Sequence, residues 1–398
     1  MTRRVVVAIA LTALTACGLF ASPGEYGAGS SDDGAADAAP SNDALVAPEA
    51  VVLPDGNVVP ASAGTITLVA GERDPTSPDD NPAWSADTWS GILDATGRVT
   101  AWKVERSATL VGPFDTAGLV DGRWALVNES FGLAGARGTA LQSTGWGPGV
   151  VGDWRASRAA MPDGVNDIVR VFSGPSLVTI GGTRTVAVDG GTSTFSINET
   201  FSATVDSAEN SLGNFAGGES LNTSRSRAGL AVGDGFLYVV GGRAAAPSGI
   251  TTSIEVAKVD ATTGVPGPFT QVTTASSEGG DHRVFLPGVV VAEGYLFVAG
   301  GRVTTGNAPT DVVISAKIDP ANGALGAFQN VTKLPAPVRD FAIVAHKGKL
   351  YVAGGITESG RTDVVASATI AADGTLSAWD TTHAKLPAPR SDIAVIAH

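Results

Sequence analysis

From about residue 63 onward, apolar residues arrive in runs of about five, each bounded by turn residues. The strings "GFLYVVGGR" (Gly235–Arg243), "GYLFVAGGR" (Gly294–Arg302) and "GKLYVAGGI" (Gly348–Ile356) are three copies of one pattern. Each opens on a glycine, runs through aliphatic and aromatic residues, and ends in two glycines. Runs this short, rich in β-branched and aromatic residues, predict strands buried on both faces rather than helices. The double glycines fall at Gly181–Gly182, Gly241–Gly242, Gly300–Gly301 and Gly354–Gly355, at spacings of 60, 59 and 54 residues. A period in this range predicts a repeat architecture.

A second signal runs in phase. After each glycine pair, after the single Gly71 and after "WALVNES", which holds the expected place with no glycine, comes a hairpin or longer turn closed by Gly, Asn or Asp and followed by an aromatic: Phe215, Phe269, Phe328 and Trp379, then Trp102 and Trp154. Those turn residues supply the left-handed conformations that tight hairpins need. Six aromatic anchors imply six units, and each unit reads as four short strands, such as "DFAIVAH", "KLYVAGG", "DVVASATI" and "LSAWDTT". One such sheet cannot cover its own two faces, so neighbouring sheets must cover them, and radial packing about an axis achieves this while protecting the edges.

The four apolar residues, the glycine pair and the spaced aromatics resemble the kelch repeat. The resemblance covers roughly residues 63–398, strongest from Arg227 onward and weakest in the second unit. Phe replaces Trp of the kelch signature in three units. The expected fold is all-β: a six-bladed kelch-like β-propeller of four-stranded blades. Its ends are complementary, because "KLPAPRSDIAVIAH" stops after one strand while the N-terminal "TITLVAGE" is a second strand lacking its first. The C-terminal strand is therefore expected to complete the sheet begun near Thr65.

The N-terminus changes the picture of where such a ring would work. Arg3 and Arg4 precede about a dozen apolar residues and then Cys17. This reads as a secretory signal too short to span a bilayer. "LTAC" (Leu14–Cys17) resembles the lipobox of bacterial lipoproteins, which implies a signal peptide over 1–16, lipidation of Cys17 and anchoring in a membrane through acyl chains. Gly18 stands where an Asp would retain such a lipoprotein at the inner membrane, so the resemblance points to the outer membrane of a cell envelope. Residues 17–62 hold seven acids and no Lys or Arg, with few large apolar residues, and read as a flexible acidic linker with a reach of roughly 35–40 Å. The net charge of −13 argues against nucleic acid as a partner. A monomer is expected, with a protein or carbohydrate ligand.

Candidate chemistry gathers on one face of the ring. Loops after the second and fourth strands share it, and there Arg227, Arg283, Arg339 and Arg390 precede inner strands while Arg243 and Arg302 follow glycine pairs. Arginines aimed at a central opening would grip carboxylates or phosphates through bidentate hydrogen bonds. Pairing with local acids such as Asp340, Asp392 or Asp281 is the structural alternative. Trp84, in the loop after the first glycine, would offer a platform for a sugar ring or an apolar side chain, and Asp79, Asp80 and Asn81 beside it are acceptors suited to a solvated turn. Cys17 is the sole cysteine, there are four histidines, and no G-x-S-x-G occurs. No catalytic residue, cofactor or metal is expected. These features support a non-enzymatic binding or scaffold module. An alternative comes from the resemblance, since kelch-like six-bladed periplasmic proteins include sialic acid mutarotases; Arg283 with His282 or Asp281 would then act as anion clamp and acid–base pair. A purely structural envelope protein is the third reading.

Overall fold

The computed structural model describes the backbone of most residues between 64 and 397, side chains for most of 64–105 and 165–397, and the short ladder of Val51–Val52 with Val58–Val59. The signal segment, Cys17, Trp84 and the Asp79–Asn81 cluster lie outside the described residues. The chain divides into two units, the larger holding Ala63–His398 and the smaller Thr12–Ser62.

Within the larger unit the described residues form six main sheets, all antiparallel. Blade one contains Thr65–Val69, Thr88–Leu93 and Val99–Val104; blade two runs from Phe114–Val120 through Arg123–Phe131 and Arg137–Thr144 to Arg155–Ala160. Blades three, four, five and six begin at Val169–Ser173, Gly229–Gly233, Gly288–Ala292 and Ala342–His346. Each of these first strands packs against its counterparts in the blades on either side. The cycle returns to blade two through Ala394–Ala397.

That last strand is the expected closure. Ala394–Ala397 pairs antiparallel with Thr65–Val69 in the register Ile66↔Ala397, Thr67↔Ile396, Leu68↔Val395 and Val69↔Ala394. It thereby supplies the inner strand that blade one lacks. Blade six departs from the expected four strands. Its fourth is reduced to bridges, Ser367↔Asp380 and Ile370↔Leu376, and Trp379 there donates its indole N–H to Thr332 O.

The continuous apolar runs follow from burial on both faces. In blade six, Tyr351 and Ala353 pack toward blade one while Leu350 and Val352, one residue out of phase, pack toward blade five. Each such side chain contributes roughly 1.5–3 kcal/mol when fully buried. First and second strands are joined by two-residue turns, Asp234–Gly235, Glu293–Gly294 and Lys347–Gly348, with positive φ at both positions. These are type I′ hairpins, whose twist matches that of the strands.

The glycine pairs build the junctions between blades. All four pairs have positive φ at both residues, and a Cβ on Gly181 would lie 2.1 Å from Arg225 O. Gly182 N–H donates to Arg225 O, Gly301 N–H to Val338 O and Gly355 N–H to Arg390 O, at 2.9, 3.1 and 2.7 Å. These three glycine pairs thus touch the backbone that leads into the next blade, leaving no room for a side chain.

Candidate functional site

The face carrying the glycine pairs is the mouth of the ring. Two residues before each described inner strand of blades three, four, five, six and one sit Asp167, Arg227, Leu286, Asp340 and Asp392, all left-handed with φ between 50° and 61°. Left-handed backbone is uncommon for such residues. Here it is held by hydrogen bonds around the ring: Leu286 N–H donates to Arg227 O at 3.0 Å and Asp392 N–H to Asp340 O at 2.9 Å. The recurrence makes this conformation a feature of the junctions.

The arginines that the sequence places at this face meet different fates. Arg390 is almost fully buried, donates to Asp87 Oδ2 at 2.6 Å and stacks with its guanidinium carbon 4.8 Å from the Trp89 ring centroid. Arg302 and Arg339 both donate to Asp340 Oδ2, each at 2.5 Å, and that carboxylate is buried. Arg302 and Arg390 are buried in the junctions, whereas Arg339 keeps 20% of its side chain exposed beside Asp340. Arg225 goes further still. It is sealed against Glu255, with both side chains fully buried, and also donates to Gly241 O, Ser253 O and Ser253 Oγ. Glu255 accepts from Asn222 and Thr223 backbone N–H groups, so the charge pair is fully hydrogen-bonded. Burial pushes the Arg225 guanidinium below its ordinary range, with Glu255 acting in the opposite direction.

Arg227 and Arg243 differ. Arg227 reaches back to blade three and donates to both oxygens of Asp167 at 3.2 Å, with 20% and 29% of the two side chains exposed. Burial first, then the nearby charges of Arg243 and Arg302, lowers the Arg227 pKa, while Asp167 opposes the shift. Arg243 is exposed, on a short strand paired with Arg225–Ser226. Together they wall a cleft of about 480 Å³ between blades three and four.

The opposite wall is a feature that the sequence reading missed. Thr183–Val188 and Gly191–Ser196 form a hairpin that stands out between the second and third strands of blade three. Pairing puts Thr183, Thr185, Thr194 and Ser196 on one face and Val186, Val188 and Phe195 on the other. Thr183, Thr194 and Ser196 line the cleft with Ser226, and Ser196 Oγ donates to Arg243 O at 3.2 Å. The alternation in "TRTVAVDGGTSTFS", centred on Asp-Gly-Gly, is the signal that would have found this hairpin. The cleft can hold an anionic, hydroxyl-bearing molecule: guanidiniums for the charge, hydroxyls for the polar rim, and the exposed Phe195 at its edge. A second cleft of about 370 Å³ near Leu334, Val338 and Val364 is lined mainly by apolar groups and lacks converging charges.

Of the remaining candidates, Arg283 and His282 lie outside the described residues, as does Trp84. Tyr238, Tyr295 and Tyr351 lie in the core and latch neighbouring blades by donating to Gly323 O, Ala372 O and Gly97 O. Burial pushes the Tyr351 hydroxyl up to about 12 and Tyr238 beyond it. Ser367, His383 and Asp380 come together, but not as a nucleophile and its base. Val99 N–H donates to His383 Nδ1 at 2.8 Å, so the ring proton sits on Nε2 and points at Ser367 Oγ, 2.9 Å away. Among the described residues no group of three or more His, Cys, Asp or Glu side chains is arranged to hold a metal ion.

No family model matches the sequence, and no curated protein matches it. Its fold does match solved structures, among them "Structure of YjhT", with a TM-score of 0.55 at 13% identity over 74% of this chain and 91% of that one. At this identity the likeness concerns the fold alone. Together with the closed cycle of antiparallel sheets, it shows an all-β propeller of the kelch-like kind that the repeat predicts.

Proposed function

We propose that the protein is a lipid-anchored cell-envelope module that binds an anionic carbohydrate-type ligand in the cleft between blades three and four. The observation that carries this reading is the departure of Arg227 and Arg243 from the pattern of their neighbours. They border open space lined by hydroxyls, where Arg302 and Arg339 converge on the buried Asp340 and Arg390 is itself buried against Asp87 and Trp89. A bidentate guanidinium contact to a ligand carboxylate would exchange with Asp167, and the threonine and serine hydroxyls would meet the ligand's own. Thr65 enters the ring at the edge where the first-to-second strand turns lie, opposite the mouth.

Titration calorimetry against an array of acidic and neutral glycans tests the proposal. Binding confined to acidic members, and lost in an Arg227→Ala/Arg243→Ala protein, is expected; undiminished binding by that double variant overturns it. Fatty-acid labelling that disappears in Cys17→Ala would support the anchor, and labelling that persists would refute it. The kelch resemblance supports a second reading, sugar isomerisation of the mutarotase type, with Arg283 and either His282 or Asp281 as anion clamp and acid–base pair. Proton NMR of anomer exchange in sialic acid decides it, since an unaccelerated rate removes that reading.

A further inference from the structure

We propose that His383 makes the closing seam between blades six and one an acid-sensitive latch. The seam is the junction where the two ends of the repeat meet. There the segment after blade six lies along the outer hairpin of blade one as though it were an extra strand. Val99 N–H donates to His383 Nδ1 and Val99 O accepts from Ala384 N–H, both at 2.8 Å. Arg98 donates through two nitrogens to Thr382 O, Trp102 Nε1–H to Ala384 O, and Tyr351 OH to Gly97 O. One acceptor in this set is a titratable side chain: the imidazole stands where a backbone carbonyl would otherwise be needed.

The neighbouring junction shows what is special. The segments "KLPAP" at 333–337 and 385–389 are repeat equivalents, and Trp379 Nε1–H donates to Thr332 O as Trp102 does to Ala384 O. In this alignment His383 corresponds to Val331, and Val99 to Leu376. The junction between blades five and six therefore has an aliphatic residue at the place of the imidazole.

Protonation can occur only at Nδ1, because Nε2 already carries its hydrogen and faces Ser367 Oγ. A proton taken from bulk water would occupy the lone pair that now receives Val99 N–H, leaving two donors facing one another. The charged groups around the ring do not compensate. Asp380 Oδ2 lies 3.9 Å from Nε2 and Asp94 also favours the cation, whereas Lys349 and Arg98 oppose it. The His383 side chain is fully buried, and this burial is the largest influence, holding its pKa below the ordinary histidine value. A depressed histidine pKa stabilises the fold above about pH 6.5, the unfolded value. That contribution is lost as pH falls through the lower, folded value.

Hydrogen exchange read by mass spectrometry, corrected for intrinsic rates, compares the segment containing Val99 with the segment containing Leu376 between pH 7.5 and 5. Protection at Val99 is expected to fall by up to about tenfold per pH unit, while the Leu376 segment stays level. In His383→Asn the Oδ1 can take the place of Nδ1 without titrating, so the Val99 segment should lose its pH dependence. A wild-type seam that does not respond to acid, or a His383→Asn protein that responds equally, overturns the proposal. Nitrogen-15 spectra of the wild-type imidazole give a check that needs no variant. An unprotonated Nδ1 at neutral pH is expected, and an imidazolium or the opposite tautomer there refutes it.

Discussion

Two sides of one mouth use the same residue type differently. Around blades five, six and one, Arg302 and Arg339 share the buried Asp340 carboxylate, and Arg390 is buried between Asp87 and an indole face. Between blades three and four, Arg227 and Arg243 border a cleft. The difference lies in what the neighbouring blade offers. Asp340 is buried within its junction and Arg390 is covered by Trp89, whereas Arg227 and Asp167, with 20% and 29% of their side chains exposed, stand at the edge of an opening widened by the blade-three hairpin. A role that recurs blade after blade belongs to the frame, and the place where the repeat is interrupted is where a ligand finds room. Blade four holds both cases two residues apart, in Arg225 and Arg227.

The comparison can be broken outright by removing the frame on which the buried side rests. Deleting residues 393–398 strips Ile393, Val395 and Ile396 from blade one, each at most 1% exposed. At roughly 1.5–3 kcal/mol per side chain, a loss of roughly 5 kcal/mol or more in urea unfolding is expected; a midpoint close to wild type would mean the ring does not close here. Next in size is Arg225→Ala, expected to cost about 3–5 kcal/mol by stranding Glu255 without its partner. Arg225→Met with Glu255→Leu should recover most of that, so an equally unstable double variant would show that the charge pair is not the cause.

Arg390→Ala against Arg227→Ala sharpens the contrast directly. The first should destabilise by roughly 1–2 kcal/mol, since it removes a buried guanidinium and uncovers Trp89, while Asp87 keeps its hydrogen bond from Ser85. The second should shift thermal stability by less than about 1 kcal/mol, yet weaken ligand binding about tenfold or more. The reverse ranking in calorimetry would assign the two sides the wrong way round. The smallest effect concerns the outer turns. Hydrogen bonds from Thr96, Thr375 and Thr382 hold Asp94, Asp373 and Asp380 below the ordinary carboxylate value. Their contribution is present above about pH 3.8, the unfolded value. It is lost as pH falls through the depressed ones. Asp373→Asn should slightly flatten the acid limb of a melting-temperature profile, and an unchanged limb would show that this turn does not matter.

Much of the frame was legible in the sequence because it is written in backbone-determined residues. Gly241–Gly242 and its copies mark junctions that exclude a Cβ, Asp234–Gly235 and its copies mark two-residue turns, and the unpaired "TITLVAGE" names its own partner at the other end. The fate of each arginine was not legible, because it depends on side chains brought up from another blade. Arg390 meets Asp87 across 303 residues, and Arg227 meets Asp167 across 60. Spacing says which face an arginine occupies but not whether a carboxylate waits there. The cleft was hidden for a related reason: its second wall lengthens the loop between second and third strands, which the near-constant spacing of the glycine pairs does not register.

The closing ladder has a mechanical corollary. Thr65–Val69 is hydrogen-bonded along one edge to Ala394–Ala397 and along the other to Thr88–Leu93. Tension arriving through the chain ahead of Thr65 would act along that strand's axis. It would load two rows of bonds in shear together rather than peel them apart singly, so the ring is gripped at one of its strongest places by the segment that leads into it.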